Sequence, residues 1–349
     1  MTFSFSPRHV ANRALAPLGL SIERKTALDG AEKPAIRADR VPARENPILA
    51  PASDERETST IPVKGLETLP GTPYSKYAVP IEYLPSRDYR ARWGYSKPLL
   101  APIHGWCEAG SPRFEDILLA MSRSVENLRM LPQRFLDENL PTPSWLDTPV
   151  CAFDALALYT LVNQYRPRTY LEIGSGISTC FAHRARVDYD LPTRIVSIDP
   201  EPRARVDAIC DDIVRAGLET VDLAIFDSLE ANDIVFFDGS HRSFMNSDVT
   251  VFMVEVLPRL KPGVIVHVHD VVLPWDYPDS FGTWYWNEQY LLAVYLIGNM
   301  KRVDPIFPTA FVCRDKRFDR HFSRPLIDLG DHNDSWRGGG SMWFTHRAA

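Results

Sequence analysis

The apolar positions change rhythm near residue 166. Upstream, residues 113–139 set Ile117, Leu118, Met121, Val125 and Leu128 at the i, i+3, i+4 spacing of one helical face. A second helix is predicted over about 153–165, with Phe153, Leu156, Leu158, Tyr159 and Val162 as its apolar members. Downstream, short apolar runs at 169–173, 194–199, 221–226, 233–238 and 262–271 alternate with helical stretches at about 178–188, 203–217, 245–260 and 287–299. A late pair of runs, 310–314 and 341–346, has no long helix between them and reads as a hairpin at a sheet edge. Strands alternating with helices of this length predict an α/β fold: a Rossmann-like, doubly wound, mostly parallel sheet of seven strands, covered on both faces.

The first 150 residues are built differently. They hold 18 of the 29 prolines, which rules out a second regular α/β domain there. Residues 8–20 allow a short helix that Pro17 limits, so 1–24 is expected to be a helical segment, either a terminal strap or a peripheral anchor. From 25 to 69 the chain is Ala, Pro, Glu, Arg and Thr with hardly an aromatic, too little apolar surface to offset chain entropy, and a flexible linker is expected. Aromatics return at Tyr74, Tyr77, Tyr83, Tyr89, Trp93, Tyr95 and Trp106, which marks 70–150 as an irregular, partly helical accessory cap. The α/β domain is expected over 151–349.

Composition narrows the function. With 45% hydrophobic and 24% charged residues the bulk of the chain is globular, and no run nears the roughly 18 apolar residues of a membrane span. A net charge of −6 without a dense basic run argues against nucleic acid as the partner. Five scattered cysteines without a CxxC pair read as reduced thiols, and the N-terminus lacks the apolar core of a signal peptide. A cytoplasmic protein with no integral membrane association is expected.

Three segments carry chemistry. In Tyr170-Leu-Glu-Ile-Gly-Ser-Gly-Ile-Ser-Thr179 an apolar strand ends in a Gly174-x-Gly176 turn that opens into a helix, so backbone can approach a ligand closely. A dinucleotide fingerprint wants glycine where Thr179 stands, and alone the turn is equally a tight strand-to-helix connection. Asp199 ends the second strand, placed either for a ribose diol or as a helix cap. Asp238, His241, His269 and Asp270 end two apolar strands whose carboxyl ends face one crevice in a doubly wound sheet. Two carboxylates with imidazole suit Mg²⁺ or another divalent cation, or His241 serves as general base.

The ordered set LEIGSGIST, IVSIDP, DIVFFDGSH and PGVIVHVHD resembles the motifs of class I S-adenosylmethionine-dependent methyltransferases. Within them it is most similar to the small-molecule and sugar O-methyltransferases of the macrocin-O-methyltransferase type, over about residues 150–347. The resemblance implies S-adenosylmethionine as cofactor. Glu172, Gly174, Ser175 and Gly176, with Ser178 and Asp238 beside them, would wrap its methionine part. Asp199 would hold the ribose, and Phe226, Asp227 and Ser228 would border the adenine. It implies Asp238, His241 and Asp270 as catalytic residues and Asp238, Asp270 and His269 as ligands of a cation. At the fifth strand the chain has His269-Asp270 where the family pattern has an acidic pair.

Residues 273–290 hold seven aromatics in 18 positions. They read either as a wall for a small-molecule or glycan acceptor, with Asp276, Asn287, Glu288 and Gln289 bonding its hydroxyls, or as a packed lid at a domain or subunit interface. The second reading leaves a homo-oligomer open. The expected activity is O-methylation of a hydroxylated acceptor. A nicotinamide-dependent oxidoreductase and a non-catalytic scaffold of the same fold are the alternatives.

Overall fold

The computed structural model describes residues 89–347, except 136, 138–140, 148–149, 203–204 and 283. The described residues belong to one compact unit, Asp88–Ala349, which carries the fold. The expected segments 1–24 and 25–69, and the start of 70–150, lie outside the described residues.

Helix α1 (Ala101–Ser124) begins with Pro102, whose missing N–H costs nothing in a first turn, and runs through Pro112. It starts well before the predicted 113 and gives way to a 3₁₀ turn at Val125–Leu128. Then come α2 (Ala152–Tyr165), β1 (Thr169–Ile173), α3 (Ile177–Asp188) and β2 (Arg194–Ile198). After them follow β3 (Asp212–Val214), β4 (Ile234–Phe237), a helical stretch opened by α4 (Asp248–Val251), and β5 (Ile265–Val268). The chain continues through α5 (Glu288–Asn299), β6 (Val303–Pro308), α6 (Thr309–Arg314) and β7 (Met342–His346).

The seven strands form one sheet in the order β3-β2-β1-β4-β5-β7-β6. β1 to β5 pair in parallel, while β7 runs antiparallel to both β5 and β6. This is the Rossmann-like, mostly parallel fold expected. Its strand order reverses beside β1, so the crevice lies beyond the carboxyl ends of β1, β2 and β4. The inner strands are buried on both faces, which is why 234–237 reads as an unbroken apolar run and 265–268 as one interrupted only by His267.

Three predicted elements differ. The expected strand 221–226 is a 3₁₀ helix, Leu223–Ser228, because the Asp222 side chain accepts the Ala224 N–H (2.9 Å) and starts a helical turn. The third strand lies inside the expected helix 203–217, where β-branched Ile213 and Val214 pair with β2 and Gly217 follows. The expected strand 310–314 is α6, and the sixth strand is the preceding Val-Asp-Pro-Ile-Phe-Pro. Two prolines argue against a strand in sequence, yet β6 is the sheet edge, where missing N–H groups are tolerated, and its register shifts between Pro305 and Phe307.

The core is continuous from α1 to β7. Phe114 of α1 meets Phe307, Phe311 and Phe318 edge-on or tilted. Gly110 lets the helix approach β6, since a Cβ there would stand 2.6 Å from Pro305. Trp106 Nε1 donates to the Val303 carbonyl (3.0 Å).

Candidate active site

The turn after β1 is held against the start of the loop after β4. Gly174 has φ +83°, and a Cβ on it would lie 1.8 Å from the Asp238 carbonyl oxygen, so no side chain fits there. Gly174 N–H donates to the Ile198 carbonyl (3.1 Å) and Asp238 N–H to the Ile173 carbonyl (2.9 Å), which joins three strand ends. A Cβ on Gly176 would meet nothing within 4 Å, so the turn is open on that side. Asp199 closes it on another: its carboxylate accepts the N–H groups of Ser175 and Glu201, both at 2.7 Å. Ser175 and Ser197 share a hydroxyl hydrogen bond of 2.7 Å.

Glu172 lies beneath the turn, fully buried. Ser178 Oγ and Thr179 Oγ1 both donate to its carboxyl, the latter at 2.6 Å, and Gly176 N–H donates back to Thr179 Oγ1 (3.1 Å). Burial raises the Glu172 pKa to about 8, against the hydroxyl hydrogen bonds that lower it. Glu172 and Ser178 therefore build the turn from below together with buried Ser175, while Gly174, Gly176 and Asp199 form its half-buried rim. Thr179, where a third glycine was sought, is part of this support.

Asp227 and Ser228 do not join this group. The Ser228 carbonyl accepts from Arg168, the residue just before β1, and Asp227 lies 3.4 Å from Arg259, which precedes β5. Both contacts are at the amino edge of the sheet, a strand length from the crevice. The resemblance implied that they border the adenine; the structure sets them apart from the β1 turn. The third strand is Asp212–Val214, and Arg215 follows it directly. Its guanidinium donates to Ser197 Oγ and the Asp199 carbonyl, both at 3.1 Å, and pairs with Asp207. The sequence reading missed Arg215 because it had assigned the position to a helix.

Asp238, His241 and Asp270 do converge. Each offers a donor atom, and these atoms lie within 4.8 Å of one another. His241 Nε2 stands 3.6 Å from Asp238 Oδ1 and 3.5 Å from Asp270 Oδ2. His241 (φ 62°) and Asp270 (φ 55°) both adopt the left-handed region, a strained placement that aims both side chains at one point. On its other side His241 Nδ1 meets Glu288 Oε1 at 2.6 Å, and the Trp286 ring packs on the imidazole at 4.1 Å.

His269 lies underneath, 2% exposed. Its Nδ1 is 3.6 Å from Asp238 and 3.5 Å from Asp270, beyond hydrogen-bond length, and its Nε2 is 4.0 Å from Asp154 of α2. It sits between three carboxylates behind the open donor set rather than within it. Burial opposes charge on both imidazoles, but the carboxylates win. Glu288, Asp270 and Asp238 raise His241 to about 9, and Asp270, Asp238 and Asp154 raise His269 to about 10. Burial likewise pushes Asp270 up, and Glu288 to about 7. The donor set suits a hard divalent cation: two carboxylates and an imidazole nitrogen on one side, the opposite nitrogen held by a carboxylate.

The aromatic loop is a packed wall. Phe281 stacks on Trp284 (4.1 Å), Trp284 meets Trp286 (4.8 Å), and Trp286 covers His241. Its polar residues are committed within the protein. Asp276 accepts from Arg92 N–H (2.7 Å), Tyr277 N–H (2.9 Å) and Tyr290 Oη (2.8 Å). Asn287 accepts from Ser243 N–H (2.6 Å) and Gln289 from Val272 N–H (3.1 Å). The four residues expected to meet acceptor hydroxyls instead fasten the loop, and residues 89–95 brace it through Tyr89, Ala91 and Tyr95.

Residues 171–271 match the family model of a methyltransferase domain. No curated protein matches the chain. Among solved structures, the S-adenosylhomocysteine-bound methyltransferase PaMTH1 of Podospora anserina is 15% identical at a TM-score of 0.34, over 67% of this chain and 88% of that one. An O-methyltransferase of Bacillus cereus, also with S-adenosylhomocysteine, is 16% identical at 0.35, over 70% and 100%. The domain match spans the turn after β1 and the strand ends that carry Asp199, Asp238 and Asp270. Over those residues the chain is similar to a methyltransferase domain.

Proposed function

We propose that the protein transfers the methyl group of S-adenosylmethionine to a hydroxyl of a small molecule or of a sugar or glycan precursor. The observation that carries this is the contact between Gly174 and Asp238, which sets the cofactor turn directly against the Asp238–His241–Asp270 group. The cofactor would lie across the open side of Gly176, with its ribose toward Asp199 and its methyl toward the acidic group. A sulfonium brings its own leaving group, so what remains for the protein is to align the acceptor oxygen and relieve it of a proton.

Asp238, Asp270 and His241 Nε2 would hold a divalent cation, and such a cation lowers the pKa of a hydroxyl beside it. The rest is supplied by this chain. Gly174 and Asp199 set the cofactor's position, and the wall of Trp284 and Trp286 borders the acceptor's space and excludes water. The facing carboxylates hold a proton on His241 in the cation-free protein, which weakens the alternative reading of this residue as a free base at neutral pH.

Calorimetry on the full chain tests the proposal. S-adenosylhomocysteine is expected to bind, NADH is not, and Asp199→Ala should weaken binding on the order of tenfold or more, the loss of charge-assisted hydrogen bonds. Binding of NADH in place of S-adenosylhomocysteine would overturn the cofactor assignment, and undiminished turnover in EDTA would overturn the cation.

A further inference from the structure

We infer that Glu288 is a positioning residue, which holds the His241 imidazole so that Nε2 faces Asp238 and Asp270. The inference rests on the proposed cation site and concerns a residue outside the motifs that define it. Glu288 is the first residue of α5 and is fully buried. Its Oε1 meets His241 Nδ1 at 2.6 Å, while its Oε2 is buried without a hydrogen-bond partner. When ionised, Glu288 can only accept, which puts a hydrogen on Nδ1 and leaves Nε2 to the aspartates.

The contact is one of three consecutive links between the start of α5 and the His241 loop. Trp286 packs on the imidazole, Asn287 N–H donates to the His241 carbonyl (3.0 Å) while its Oδ1 accepts from Ser243 N–H, and Glu288 takes Nδ1. Asn287 and Trp286 already fasten the loop, so a buried acid with one idle oxygen is not needed for packing. A carboxylate there is costly to bury, and it is kept with one oxygen on the imidazole and the other unpartnered. What it adds is ring orientation from the far side of a ligating histidine, an arrangement whose loss typically weakens metal binding about 10–100-fold.

The test is a titration of the full-length protein with Mn²⁺, following free Mn²⁺ by electron paramagnetic resonance, with S-adenosylhomocysteine affinity measured alongside. Glu288→Ala should raise the Mn²⁺ dissociation constant about 10–100-fold. Glu288→Gln, whose amide oxygen still accepts from Nδ1, should stay within about tenfold of the unaltered protein. Cofactor affinity should be unchanged in both. Equal Mn²⁺ affinity in Glu288→Ala would overturn the inference alone, as would a Gln variant no better than Ala. Parallel loss of cofactor binding would show a merely structural role and also overturn it. An unaltered protein that takes up no Mn²⁺ at millimolar concentration would overturn the cation site, and this inference with it.

Discussion

A methyl group on residue 174 would have to stand 1.8 Å from the carbonyl oxygen of Asp238, in a backbone conformation with φ +83°. Gly174→Ala is therefore expected to push the β1 turn off the β4 end, lower the melting temperature and weaken S-adenosylhomocysteine binding at least about tenfold; the φ change alone costs about 1 kcal/mol, and the clash adds to it. Cofactor affinity at wild-type strength in that variant would show that the two strand ends need not touch. At this scale much was legible, because glycines and strand-terminal acids announce themselves. Asp238, His241 and Asp270 meet as expected. The partners that decide their chemistry were not legible: Glu288 follows His241 by 47 residues and reads as one more polar residue in an aromatic loop.

At the scale of elements, β1, its turn and α3 form one unit around Glu172. Its carboxyl is buried and its pKa raised to about 8, so between pH 4.5 and 8 the folded state keeps a proton that the unfolded chain has released. Its contribution to stability is then greatest below pH 4.5, declines as pH rises to about 8, and is flat beyond. Urea unfolding at several pH values should show this decline, and Glu172→Gln should flatten it; an unchanged slope in the variant would exclude Glu172 as its source. Element type was legible where periodicity was strong, as in α2, α5 and the buried strands. It failed where a local side chain or the sheet position overrode the pattern. Asp222 started a helical turn in an apolar run, and an edge place let β6 contain Pro305 and Pro308.

For the molecule as a whole, one core joins residues on both sides of position 150. Phe114 is fully buried among Phe307, Phe311 and Phe318, so Phe114→Ala is expected to cost about 3–5 kcal/mol. Chemical denaturation should show the loss as one shifted transition. If α1 unfolded separately, leaving the sheet transition in place, the core would not be continuous in solution. Among the described residues no helix is long and apolar enough to cross a membrane, and the five cysteines are unpaired.

The sequence by itself determined the fold class and the ends of the strands that carry chemistry. Both follow from local rules: strand periodicity, glycine at a left-handed turn, and acids where apolar runs stop. Only the tertiary structure decided which strand stands third, that His269 lies behind the acidic pair, that Arg215 rather than Asp227 reaches the crevice, and that Glu288 grips His241. Those depend on which distant segments are brought within a few ångströms by burial of a shared core, and no spacing along the chain records that.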